Sequence, residues 1–365
     1  MELHNLAKTS EWISKNFNGN AIDVNKQMSR LIKQARDNAK GTTCLYCGKN
    51  VTSFCNSHTI PVFCLRNIDS DGMVLTVNSI IEFPFYLKED SGIGNAGTFH
   101  IICEGCDTTI FQEYENPDAY TATPSHRILA AIALKSNLKY IYKRKVEIEQ
   151  YKIMQAIKDA PRFTQMNEVN SLDLKDFLMD FNKAKKQIKN NYNDGYYLIY
   201  YDLLDYTVPI AFQGQIALYV DFDGNVVNDI YNNDPNYHMK DLYVCVFPLK
   251  NRTAIMLFID NNEKRYRKFY KGFKALSRED KLSVINYLIF LYSEDFYCSE
   301  TLKQVLKNDK KVKEITGKTT MAGISFDDIM KGDVYERLKA EYNLNNHKNF
   351  TNFLSEKYKM KEKTE

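Results

Sequence analysis

The sequence lacks any uninterrupted apolar run near the roughly 18 residues that a membrane-spanning helix needs. Its closest stretch, LSVINYLIFLY, is shorter and is flanked by charge. The first residues, MELHNLAKTSEWISKNF, carry an acid at position 2 and no continuous apolar segment, so they do not read as a secretion signal. Together these absences predict a cytoplasmic protein with no membrane contact. Excess charge is also missing: the formal net charge is +3 over 365 residues. That excludes a globally basic nucleic-acid coat and leaves local patches as the only route to phosphate contact. No repeat recurs at a period of about 20 to 50 residues, which excludes solenoids and propellers. The Gly-rich piece SGIGNAG has neither the GxGxxG spacing nor a GK[ST] ending, so it is no phosphate-binding loop.

What is present is a set of spaced cysteines. Cys44 and Cys47 form one knuckle in CLYCGKNVTSFCNSHTIP, and Cys103 and Cys106 form a second in FHIICEGCDTTIFQEYE. Cysteines two residues apart present two thiolates on one tight turn, and two such turns supply the four sulfurs of a tetrahedral zinc site. In a reducing compartment that spacing favours metal over disulfides. Cys64, Cys245 and Cys298 lie in apolar or aromatic surroundings and read as small buried hydrophobes.

Around the knuckles the pattern alternates between classes. Helices are predicted over 2–17 and 21–39, the second with a basic side and with Gly41 as its stop. Short strands follow in VTSFC, MVLTV and IIEFPFYL. Asp107 stands where a helix cap would stand, ahead of TTIFQEYE. Long helices are expected over 125–158 and 173–190. From 195 to 262 the chain turns β-rich, in YYLIYYDLL, VPIAF, QIALYVD, GNVVNDIY, LYVCVFPL and TAIMLFIDN, which predicts an antiparallel sheet. Helices are expected thereafter in EKRYRKFYKGFKAL, REDKLSVINYLIFLYSEDFY, SETLKQVLKN and ISFDDIMKGDVYERLKAEYN, with Ser277 and Asp280 as a capping signal for the second of them.

The two knuckles, the strand ending in Ser57, His58, Thr59, Ile60 and Pro61, and Asp107 after Cys106 together resemble the HNH endonucleases, the ββα-metal nucleases, in their zinc-knuckle form. The resemblance covers about 70 residues, from Cys44 to Glu115. It implies a structural Zn²⁺ held by Cys44, Cys47, Cys103 and Cys106, with His58 as the catalytic general base. It also implies a catalytic Mg²⁺ or Mn²⁺ on Asp107, with Ser57 and Glu115 as further ligands. Two positions depart from the family pattern. Ser57 replaces the usual Asp before the base, and Phe111 replaces the usual His or Asn four residues after the Asp107 position.

The resemblance implies a metal-dependent endonuclease hydrolysing phosphodiester bonds of nucleic acid, DNA first, in a setting of bacterial or phage defence. A neutral imidazole near its own pKa is suited to taking a proton from water. The alternative is a catalytically inactive zinc module that binds nucleic acid or a protein partner. The individual residues also admit structural uses: His58 as a buried histidine or, with Cys55 three residues before it, as a zinc ligand in place of one knuckle; Asp107 as a helix cap; Glu115 as a solvated or salt-bridged helix residue. The predicted fold class is α+β. N-terminal helices (1–43) precede the HNH-like zinc module with a β insertion (44–120), a helical connector (121–194), and a β-sheet plus helices (195–365). That last part matches no known constellation and leaves room for an effector ligand or a homo-oligomer contact.

Overall fold

In the computed structural model of the protein, residues 21–77, 92–157, 161–191, 193–229, 232, 234–321 and 334–361 are described. The helix expected over 2–17, the strand IIEFPFYL and the segment ISFDDIM lie outside them. Among the described residues, no helix is long and apolar enough to cross a membrane.

Helix α1 (Ala21–Lys40) places Asp23 in its first turn and Lys40 in its last, each favourable to the helix dipole. It ends where Gly41 adopts φ +66°, as the sequence predicts. Its buried stripe of Met28 and Leu31 packs on Tyr151 and Met154.

Two very short strands, β1 (Ser57–His58) and β2 (Thr98–Phe99), pair antiparallel with Ser57 opposite Phe99 and His58 opposite Thr98. Between them runs an unpredicted helix, α2 (Val62–Ile68), which starts directly after Pro61 and buries Cys64, Leu65 and Ile68. The expected strands VTSFC and MVLTV do not form. Their residues make single pairings with different partners, Val51 with Thr42, Cys55 with Ile102, Met73 with Ser70 and Gly92, and Leu75 with Cys298. A strand needs a continuous partner, and none is offered among the described residues. Helix α3 (Glu104–Phe111) follows β2, giving the chain order β1, α2, β2, α3.

Two long helices follow, α4 (His126–Ile157) and α5 (Pro161–Asn190), the second opening on a proline earlier than expected. Next come the strands β3 (Tyr196–Leu204), β4 (Ile210–Ile216), β5 (Leu242–Leu249) and β6 (Arg252–Asp260). Strand β7 (Phe296–Cys298) joins them after helices α6 (Arg267–Ala275) and α7 (Arg278–Tyr292), giving one antiparallel sheet in the order β3-β6-β5-β4-β7. Among its described residues, the segment GNVVNDIY forms no strand; it makes the bridge between Val220 and Val226 and the bonds from Val227 and Asn228 to Tyr219 and Leu218. Ser277 caps α7 as expected, accepting the Asp280 N–H at 3.0 Å. Helices α8 (Lys303–Asn308), α9 (Lys310–Met321) and α10 (Val334–Glu341) follow, and two short 3-10 turns at Leu344–Asn349 and Glu356–Tyr358 come after them.

The sheet is covered on both faces. Side chains alternate along each strand, so Ala211, Tyr243, Cys245, Phe247, Met256 and Phe258 meet α2, α3 and α4. Phe212, Val244, Val246, Ile255 and Leu257 meet α6 and α7 on the other side. Double coverage explains why these strands read as continuous apolar runs rather than alternating ones. Cys64, Cys245 and Cys298 are all buried, as their surroundings predict.

The small hairpin is fastened to this sheet at two places. Tyr114 of the segment after α3 donates its hydroxyl to Gln213 Oε1 at 2.7 Å and lies 3.1 Å from the Thr59 carbonyl. Gly97, with φ +67°, accepts the Thr59 N–H at 3.0 Å, and a Cβ there would stand 2.3 Å from Tyr297 Oη and 2.8 Å from Thr59 Oγ1. Gly97→Ala therefore combines left-handed backbone strain with a clash. A loss of about 1–3 kcal/mol or more is expected in thermal or urea melts; an unchanged melt would remove this account of the glycine.

Candidate functional site

Each knuckle is built by local backbone bonds. The Gly48 N–H donates to the Cys44 carbonyl at 2.8 Å and the Cys44 N–H to the Lys49 carbonyl at 2.9 Å, with Gly48 at φ +73°. On the other side Cys103 is the N-cap of α3 and Cys106 lies in its first turn, so i and i+3 geometry brings both thiols to one side. The four sulfurs of Cys44, Cys47, Cys103 and Cys106 all lie within 4.8 Å of one another, with Cys47 and Cys103 at 4.0 Å. Zn–S bonds of about 2.3 Å in a tetrahedron put sulfurs about 3.8 Å apart, so the cluster fits a structural metal such as zinc. Burial works to raise the Cys44 thiol pKa, but N–H groups of Cys47, Cys103 and Tyr46 outweigh it and draw it down to about 7. Burial and the neighbouring sulfurs push Cys106 up. Four thiols this close need a cation before all can ionise.

Cys55 takes no part in that cluster. Its thiol donates to Asp107 Oδ2 at 3.6 Å, and burial first, then Asp107, pushes its pKa up to about 11. His58 also stands outside the four sulfurs.

Behind the knuckles lies a second polar centre. Ser57 Oγ donates to Asp107 Oδ1 at 2.5 Å. Lys135, from the first third of α4, donates to Ser57 Oγ at 2.8 Å and to Asp107 Oδ1 at 2.9 Å, with Glu115 Oε1 at 3.9 Å. Its ammonium also sits 3.9 Å from the centroid of the Phe111 ring. The Lys135 side chain is 1% exposed, against 19% for Asp107 and 37% for Glu115, so the two acids face outward from a buried cation. Burial raises the Glu115 pKa, with Asp107 adding to the rise, while Lys135 and the Val62 N–H oppose it.

The three oxygen ligands predicted for a divalent ion thus do converge. What they converge on is an ammonium. Mg²⁺ or Mn²⁺ requires about six oxygens close to 2.0–2.2 Å, while Ser57 and Asp107 Oδ1 are already engaged by Nζ. Among the described residues, the four cysteines are the one group of His, Cys, Asp and Glu that closes to metal-holding distances. The predicted catalytic Mg²⁺ or Mn²⁺ does not fit Asp107, Ser57 and Glu115 as they stand. Asp107 is corrected in a second respect: it is no cap, since α3 begins at Glu104 and the Asp107 N–H donates to the Cys103 carbonyl at 3.0 Å.

His58 lies beside this centre, half-buried on β1. Its Nε2 is 2.9 Å from the Ile93 carbonyl. A carbonyl only accepts, so Nε2 carries the hydrogen and Nδ1 keeps its lone pair. Burial is the main cause that lowers the imidazole pKa from 6.5; Lys135 and Arg66 assist, and the Ile93 carbonyl and Asp107 oppose. The ring is therefore neutral at pH 7.

Two residues that matter here were not singled out by sequence reasoning. Arg66, exposed on α2, places a positive charge within reach of His58. Lys135 follows ILAAIAL, a helical stretch buried on every side, and a charge in such a stretch must find a buried partner. That was the available signal. Glu113 turns away to Arg127 at 3.5 Å, His100 rests against the Tyr142 ring, and His126 is exposed. Compared with known proteins, the chain matches no family model, no curated protein and no solved structure.

Proposed function

We propose that residues 44–115 form an HNH-type phosphodiester hydrolase acting on nucleic acid, DNA first, with His58 as its general base. The observation that carries the reading is the bond from His58 Nε2 to the Ile93 carbonyl. It fixes a neutral tautomer whose Nδ1 can take the proton of an attacking water. The zinc-fitting cluster and the pairing of β1 with β2 ahead of α3 support the reading, although α2 is inserted between the two strands. Arg66 is suited to hold a phosphate oxygen, because a guanidinium forms paired bonds to phosphate. A role in bacterial or phage defence rests on the resemblance.

Plasmid nicking, together with cleavage of linear DNA and RNA, tests this reading. His58→Ala should lower the rate by about 10²–10⁴-fold, and Arg66→Gln should raise KM more than it lowers kcat. Because only neutral His58 can act and its pKa is lowered, activity should persist as pH falls to the ordinary imidazole value of 6.5 and decline below it. An His58→Ala variant that cuts as fast as wild type sinks the assignment. The saturation of Ser57 and Asp107 by Lys135 favours one other reading, a binding module of the same fold without turnover. It would show DNA binding with no cleavage of any substrate.

A further inference from the structure

We propose that the Lys135 ammonium is the resident cation of this centre, and that the centre takes no divalent metal while the lysine is present. The inference rests on the site geometry above, removes the divalent ion that the resemblance implies there, and does not depend on turnover.

Three features are consistent with a covalently attached cation and awkward for an exchangeable one. First, Nζ is the point where Ser57 Oγ, Asp107 Oδ1 and Glu115 Oε1 converge, at 2.8, 2.9 and 3.9 Å. Those separations are hydrogen-bond and ion-pair lengths, and the single positive charge lies nearest Asp107, with Glu115 further out. Second, the two residues that depart from the nuclease pattern both serve the ammonium. Ser57, a neutral oxygen, accepts one of its hydrogens, and Phe111 presents a ring 3.9 Å away, an arrangement that favours an organic cation over a hydrated metal. Third, the stem of Lys135 rises from a fully buried turn of α4, so the charge cannot leave and water cannot readily replace it. A divalent ion approaching Asp107 would meet a fixed like charge about 3 Å behind the carboxylate, a repulsion worth several kcal/mol at protein-like permittivity.

The test is a Mn²⁺ titration of the full, zinc-loaded chain, followed by the loss of the free Mn²⁺ electron-spin resonance signal. Thiolate sites prefer zinc to manganese, so the cysteine cluster stays silent. Wild type should show no stoichiometric Mn²⁺ site. Lys135→Met keeps the stem and vacates only the ammonium. It should gain one Mn²⁺ per chain, at least about tenfold tighter than any binding to wild type, and lose it again in Lys135→Met/Asp107→Asn.

Stoichiometric Mn²⁺ binding by wild type that Asp107→Asn abolishes would overturn the inference, as would a folded Lys135→Met that gains no ion. The wild-type titration needs no substitution, so it decides alone if Lys135→Met fails to fold. Cleavage is not part of the readout, so an inactive protein that behaves this way still bears out the resident cation.

Discussion

Cys44→Ser is expected to lower bound zinc from about one per chain to none and to open residues 44–115 to protease. The frame of this region is too slight to hold itself. Strands β1 and β2 have two residues each, and an isolated two-stranded hairpin is marginal in water even when much longer. Each knuckle is secured by only a few backbone bonds, and the Cys103 N–H donates at 3.3 Å to the Cys44 sulfur itself. Structural zinc sites in small modules contribute on the order of 10 kcal/mol of folding free energy. Part of that will be buffered here by the apolar contacts of Ile101, Ile102, Phe111 and Tyr114 with the sheet side of the core. Metal analysis of the purified variant, with limited proteolysis, checks the outcome. Zinc retained at one per chain would show that the four sulfurs are not its site.

The second large effect is expected at Lys135. Removing one partner of a buried ion pair commonly costs about 3–5 kcal/mol, because the other charge stays buried without compensation. Lys135→Met leaves the Asp107 carboxylate with only the Ser57 hydroxyl and the Cys55 thiol. Asp107→Asn keeps Ser57 and an amide oxygen beside Nζ but leaves the more deeply buried charge, 1% exposed against 19% for Asp107, so its loss should be comparable. The double variant should be more stable than the sum of the two losses predicts, by about 1–3 kcal/mol. Urea melts of the four proteins in a divalent-free buffer measure that coupling. Additive losses would mean that the 2.9 Å contact carries no coupling energy.

The knuckles were legible in the sequence because their chemistry is local: two residues of spacing determine where two thiols point. Strands β3, β5 and β6 of the large sheet were equally plain, whereas β4 joins VPIAF to the start of QIALYVD, whose remainder forms no strand. YYLIYYDLL and LYVCVFPL form β3 and β5 at the expected residues. Their apolar runs are long enough to indicate burial on both faces. Other elements depend on distant partners and left weaker traces. Strand β7 follows the apolar helix α7 after only Ser293, Glu294 and Asp295, too short an interval to announce a new element, and it pairs with β4 through Ile210 and Phe212. Helix α2 is seven residues rich in bulky and branched side chains, which locally suggest a strand.

The polar centre shows the same division. Ser57, His58 and Asp107 could be placed near one another by resemblance to a known order of residues. Lys135 reaches them from 78 positions away in the chain relative to Ser57, so no local spacing announces it. Its presence changes the chemistry expected of its neighbours: residues read as ligands of an exchangeable ion become partners of a side chain.

The pairing of Leu75 with Cys298 has a practical consequence for dividing this chain into fragments. Strand β7 is a border of the five-stranded sheet, and Leu75 covers it with two backbone bonds, at 2.7 and 2.9 Å. A fragment starting at residue 195 would keep the sheet but lose that cover, along with the side chains that bury Tyr243, Phe247 and Phe258. It would present an open strand edge and an apolar face together, the combination that invites strand addition between molecules and precipitation. Expression of the carboxyl-terminal half is therefore better attempted with the preceding segments kept in place than with a cut at the start of the sheet.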